Sequence, residues 1–115
     1  MNLTHFNDEA RRLAGLIDDS LAELRTQALT YARAERDYRR AKGRAWVQAP
    51  KGTVPEREAW VDGETCDLRY ARDVADGLRQ AALEAVRSHR GQVSALQTAL
   101  NAHQEEAKFA RTGPA

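Results

Sequence analysis

Large apolar residues step along the first part of the chain by threes and fours. From Leu3 to about Val47 the stripe reads Phe6, Ala10, Leu13, Ile17, Leu21, Leu24, Ala28, Tyr31, Tyr38, Ala41 and Ala45. This spacing places them on one face of a helix, along a seam close to 3.5 residues per turn. A second stripe follows with the same period: Val61, Leu68, Ala71, Ala75, Leu78, Ala82, Ala85, His89, Val93, Leu96, Leu100, Ala107 and Ala110. Between them, Ala49-Pro50-Lys51-Gly52 breaks the pattern. The spacing predicts one helix over about 4–47, a tip loop over 48–53, and a second helix over about 54–111.

The predicted ends carry their own chemistry. Thr53 stands at the N-cap of the second helix, Pro55 in its first turn, and Glu56 three residues after the cap. This is the order of a capping box, in which side chains satisfy free backbone N–H groups. Asn7 or Thr4 is placed to cap the first helix. Gly113-Pro114 reads as a stop signal for the second. A phosphate-binding loop is a poor alternative for the tip, because Pro50-Lys51-Gly52-Thr53 lacks the required glycine order and a preceding strand.

Neither helix can bury its stripe alone, so the chain is expected to double back near residues 51–52 as a single domain. That fold aligns position i with about 103 − i, and charge supports the direction. Residues 33–44 carry six bases and two acids, whereas the facing stretch, 58–76, carries six acids and two bases. Opposite signs on facing flanks set helix orientation. The fold class expected is all-α, a long antiparallel two-helix hairpin. A bare hairpin buries one narrow seam, so a homodimer closing into a four-helix bundle is expected. The same alignment brings Trp46 near Trp60 and Arg57 at the tip, and leaves residues beyond about 101 without a partner in their own chain.

Composition narrows the function classes. The chain has 115 residues, including 21 alanines, and only seven aromatic residues other than histidine. It therefore has little bulk for a thick core. A formal charge of +1 excludes an acidic mimic of DNA and a uniformly basic coat for it. The lone Cys66 excludes an internal disulfide and fits a reducing compartment. The first residues do not have the basic and apolar order of a secretion signal, and no apolar run reaches the length of a membrane span. The reading is a cytoplasmic protein with no membrane contact.

Candidate chemistry is sparse. His5, His89 and His103 lack the helical spacing of metal ligands, and His89, on the seam, is expected to be a buried polar group with a neighbouring partner. Cys66 has no nearby histidine, and no triad order is present. No enzyme, cofactor, metal or small-molecule substrate is expected. The basic strip Arg36, Arg39, Arg40, Lys42 and Arg44, with Tyr38 interleaved, has two readings. It is a nucleic-acid contact surface, or it is the positive half of the cross-hairpin charge pairing, which is the reading preferred. Gly63, Gly77 and Gly91 share one heptad position facing away from the seam; either they form a groove for another helix or they are tolerated at exposed sites. Leu96, Leu100 and Phe109, on an apolar stripe that continues past the hairpin partner, form with Arg111 the candidate surface for a protein partner.

The stretches "AERDYRRAKGRAW", "GTVPEREAWVD", "LRQAALEAVRSHRGQVSALQTALNA" and "EEAKFARTGP", over roughly residues 30–113, resemble a class of small helical proteins encoded by bacteriophages and prophages. Such proteins are often encoded beside single-strand annealing proteins and exonucleases. The resemblance implies an accessory role in phage replication or recombination, in the host bacterial cytoplasm, exercised by binding a protein partner. The alternatives are inhibition of a host enzyme or defence nuclease, and direct nucleic-acid binding at the basic tip.

Overall fold

The computed structural model describes residues 2–112, which form two helices joined by a short turn. Helix α1 is Leu3–Gln48 and helix α2 is Val54–Thr112. The expected boundaries hold to within a residue. The expected stop at Gly113-Pro114 lies outside the described residues.

Both helix starts are capped by the residue just before them. Thr53 Oγ1 accepts from the Glu56 backbone N–H at 3.3 Å, and the Thr53 carbonyl accepts from Arg57 N–H at 3.0 Å. The Glu56 carboxylate folds back over Gly52, where an added Cβ would meet Oε2 at 2.7 Å. At α1 the cap is Asn2, not Asn7 or Thr4. Asn2 Oδ1 accepts from His5 N–H at 2.8 Å, and its carbonyl accepts from Phe6 N–H at 3.2 Å. The apolar period continues one turn earlier than its first large residue suggests, so Thr4 and Asn7 lie inside the helix.

The hairpin divides into two compact units. The terminal unit combines Met1–Ala22 with Leu83–Ala115, and the tip unit is Glu23–Ala82. In the tip unit, Tyr38 and Ala45 of α1 and Val61, Thr65, Ala75 and Ala82 of α2 are buried. Thr65 satisfies its hydroxyl by donating to the Val61 carbonyl at 2.8 Å, so it can occupy a core position. Arg57 closes the tip. Its Nη2 donates to the Trp46 carbonyl at 2.9 Å and its guanidinium lies 5.7 Å from the Trp46 ring centre. Trp60 lines a small cleft with Ala41, Ala45 and Gln48.

The seam of α2 departs from expectation in the tip unit. Ala71 and Leu78 were expected in it, yet both are exposed, Leu78 at 50%. Arg72 and Arg79 are half-buried one residue further on. Arg72 lies 4.5 Å over the Tyr38 ring and Arg79 5.1 Å over that of Tyr31. An arginine stem is apolar and its head is attracted to an aromatic face, so arginine opposite tyrosine fills a seam position that a hydrophobicity pattern assigns elsewhere.

The helix register differs for the same reason. The charge alignment places Arg72 opposite Tyr31, but Tyr31 meets Arg79. In the terminal unit it places Gln97 opposite Phe6, but Phe6 meets His103, with ring centres 5.8 Å apart. Exposed ion pairs are worth roughly 0–1 kcal/mol each, and buried ring contacts outweigh them. One consequence is that His103, expected to project without a partner, has one in its own chain.

In the terminal unit Phe6, Leu13 and Val86 are buried, with Leu13 at 1% exposure. Full burial of such a leucine contributes roughly 1.5–3 kcal/mol. Ile17, Leu21, Leu96 and Leu100 are half-buried around them. His89 takes its expected seam place, but its buried Nδ1 has no hydrogen-bond partner among the described residues.

Candidate functional site: an apolar groove and a basic helix face

Two surfaces stand out, one in each unit. In the terminal unit α1 presents Phe6, Ala10, Ala14 and Ile17 at intervals of three and four, and α2 presents Val93, Leu96 and Leu100. Phe6 is buried, but Ala10 and Ala14 end at Cβ and leave space above it. The result is an open apolar groove of about 290 Å³ with Asn7 and Gln97 as its polar lining. A second hollow of about 410 Å³ shares Leu100 and is lined also by Leu3, His103, Ala107, Lys108 and Arg111.

Of the four residues expected to meet a partner, the structure brings three to these hollows. Leu96 and Leu100 line the groove, and Arg111 lines the second hollow with Leu100. Phe109 is 67% exposed and lines neither. The α1 contribution was missed, because Phe6, Ala10 and Ile17 read as ordinary seam residues. The signal that could have found it is Ala10 and Ala14, two small residues one turn apart between two large ones.

The basic strip lies on the exposed side of α1 in the tip unit. Arg36, Arg39, Arg40, Lys42 and Arg44 are all exposed. Arg39 pairs with Glu35 at 2.6 Å and Arg36 with Asp37 at 3.2 Å, both on α1 itself. Lys42 Nζ stands 5.8 Å from the Tyr38 ring centre, and Arg44 borders the tip cleft beside Glu64. No ion pair joins this strip to the acids of α2 among the described residues. Among the described residues the only ion pair between the helices is Glu35–Arg72, at 3.6 Å, and there the acid is on α1. Arg33, Arg36 and Arg40 point away from α2, whereas Arg44 shares the tip cleft with Glu64 of α2. Tyr38, expected among the strip's contacts, is buried under Arg72 and is not available for stacking.

The remaining candidates are dispersed. Cys66 is exposed, with its thiol 3.9 Å from Oδ1 of its neighbour Asp67. Among the described residues no three His, Cys, Asp or Glu side chains converge on a point, and no helix is long and apolar enough to cross a membrane. Gly63, Gly77 and Gly91 are exposed, with nothing within 4 Å of an added Cβ. Hydrogen bonds from Arg12 hold the Glu9 carboxyl below the usual carboxylate value.

No family model, curated protein or solved structure matches the chain.

Proposed function

We propose that this hairpin is a non-enzymatic binding protein that takes an amphipathic helix of a protein partner into the groove between Phe6 and Leu100. The observation that carries the reading is the groove itself. It is apolar, open on one side and lined from both helices, with Asn7 and Gln97 to orient an incoming backbone or side chain. A helix-in-groove complex needs these features, with anchors at i, i+3, i+4 and i+7 of the incoming helix. The sequence resemblance supplies a setting, accessory function in phage replication or recombination, for which the partner is a protein of that machinery.

Self-association belongs to the same proposal. Among the described residues the buried apolar set holds eight, three of them alanine, so a pair of hairpins closing into a bundle adds the core that one seam lacks.

Ala14 is exposed, so replacing it changes the groove without emptying the seam. A photo-reactive residue at Gln97 is expected to cross-link one protein in the native host. Ala14→Arg is expected to abolish that product with an unchanged melting temperature. An identical cross-link from both proteins would refute the groove as the binding site. Sedimentation velocity across a range of concentrations tests the dimer.

A further inference from the structure

We infer that the outer face of α1 in the tip unit is a binding surface for the phosphate backbone of nucleic acid. The inference is independent of the groove.

Charge within this unit is segregated by helix. Between Glu23 and Gln48, α1 carries seven bases against three acids. Over Val54 to Ala82, α2 carries four bases against seven acids. Such segregation would be unremarkable if the two signs met across the seam. They do not: among the described residues the one inter-helix pair, Glu35–Arg72, uses an acid of α1. Arg33, Arg40, Lys42 and Arg44 make no ion pair among the described residues. The strip is therefore a solvated concentration of positive charge.

Its geometry suits a polyphosphate. Tyr31, Tyr38 and Ala45 define the seam side of α1, which turns Arg33, Arg36 and Arg40 directly outward with Arg39 beside them. Six bases lie between Arg33 and Arg44. Of these, Arg33, Arg36, Arg40 and Arg44 are turned away from the seam, three or four residues apart, which is about 4.5–6 Å of axis at the rise of an α-helix; with phosphates about 3.4 Å apart along one duplex strand, each of the four can meet a separate phosphate. Gly43 lies amid these bases with open space at its Cβ position, which lets a backbone approach closely.

Two other anionic partners fit less well. A helix that binds a lipid surface inserts an apolar stripe beneath its basic flank. Here the stripe is committed to the hairpin seam. An acidic protein would need matched carboxylates at a similar density, whereas every nucleotide supplies a phosphate. With Tyr38 buried, the surface has no ring for base stacking, so binding is through the backbone and indifferent to sequence.

The test is fluorescence anisotropy of the full chain with a labelled thymidylate oligomer of about 20 nucleotides and with a duplex of equal length. Engagement of four phosphates predicts an affinity for the single strand that falls about 50-fold between about 50 and 200 mM salt, and more steeply for the duplex. The triple variant Arg33→Gln/Arg40→Gln/Arg44→Gln is expected to weaken single-strand binding by at least about tenfold and to reduce the log–log salt slope by about 2. Arg11→Gln/Arg90→Gln, which removes two bases from the terminal unit, is expected to change neither. Circular dichroism confirms that both variants remain helical. Absence of binding to both oligomers at the lower salt would overturn the inference. So would equal binding by the triple variant, or affinity for polyglutamate or anionic vesicles matching that for the oligomers.

Discussion

Arg72 lies over Tyr38 with its guanidinium carbon 4.5 Å from the ring centre, and the same arginine reaches Glu35 at 3.6 Å. One side chain of α2 thus covers a buried ring and pairs with the acid almost one turn before it on α1. The arginine side chain is only 23% exposed, so its stem packs while its head remains hydrogen-bonded, to Asp73 at 2.9 Å. This contact should appear as coupling. Tyr38→Ala is expected to cost about 3 kcal/mol, at the lower end for a buried aromatic because a thin seam can collapse. Arg72→Ala should cost about 1 kcal/mol. A double-mutant cycle in urea should give a coupling energy of about 0.5–1 kcal/mol; zero coupling would make the stacking incidental.

His89 is a defect that can be repaired. Its buried Nδ1 lacks a partner among the described residues, and an unsatisfied buried polar atom costs about 1–3 kcal/mol. His89→Leu is expected to raise the melting temperature, with a gain of about 1 kcal/mol. A loss of stability would show that the imidazole is satisfied in solution.

Leu13 tests the terminal unit. At 1% exposure it is among the most buried large side chains, and Leu13→Ala should cost about 2–3 kcal/mol. Hydrogen exchange should quicken for amides of Met1–Ala22 and Leu83–Ala115 more than for those of Glu23–Ala82. Uniform acceleration would mean that the two units open together.

Thr53 carries the start of α2. Thr53→Ala removes the acceptor for the Glu56 N–H and is expected to cost about 1 kcal/mol in chemical denaturation. Thr53→Asn should recover most of it, which distinguishes capping from packing.

Glu9 sets a pH dependence. Hydrogen bonds from Arg12 lower its pKa below the ordinary 4.5. The sign follows: the folded state favours the carboxylate, so this contribution is present above pH 4.5 and is lost as pH falls through the lower folded value. The pair is exposed, so its effect is small and screened by salt. Carbon-detected NMR should place the Glu9 midpoint below 4.5 at low salt, and Arg12→Gln should return it towards 4.5.

The helices, the turn and the cap at Thr53 were legible because each rests on local chemistry: period, proline and glycine punctuation, and a hydroxyl at the right offset. Most of the α1 seam was legible too, since ten of its eleven expected members are buried or half-buried and only Ala10 is exposed. The α2 seam was harder to read because apolarity and burial part company there. Ala71 and Leu78 are apolar and outside; Arg72 and Arg79 are charged and inside. Register suffered next, since many weak exposed charges were weighed where a few ring contacts decide. The groove was half legible. Leu96 and Leu100 announced themselves as apolar residues near the end of the seam, but a hollow is made by what is missing, and the two alanines of α1 gave only a faint sign of it.

The paired rings and guanidinium groups recur at equal intervals, Tyr31 and Tyr38 on one helix and Arg72 and Arg79 on the other, each set one heptad apart. A zipper with evenly spaced teeth can close one tooth out of step. Sliding α2 by a heptad would bring Arg72 to Tyr31 and leave Tyr38 without a guanidinium and Arg79 without a ring. The short turn, anchored by Thr53 on one side and by Arg57 on the Trp46 carbonyl on the other, keeps the count. Lengthening it would give the chain two ways to close, and the stretch between Pro50 and Thr53 is thus as much a ruler as a bend.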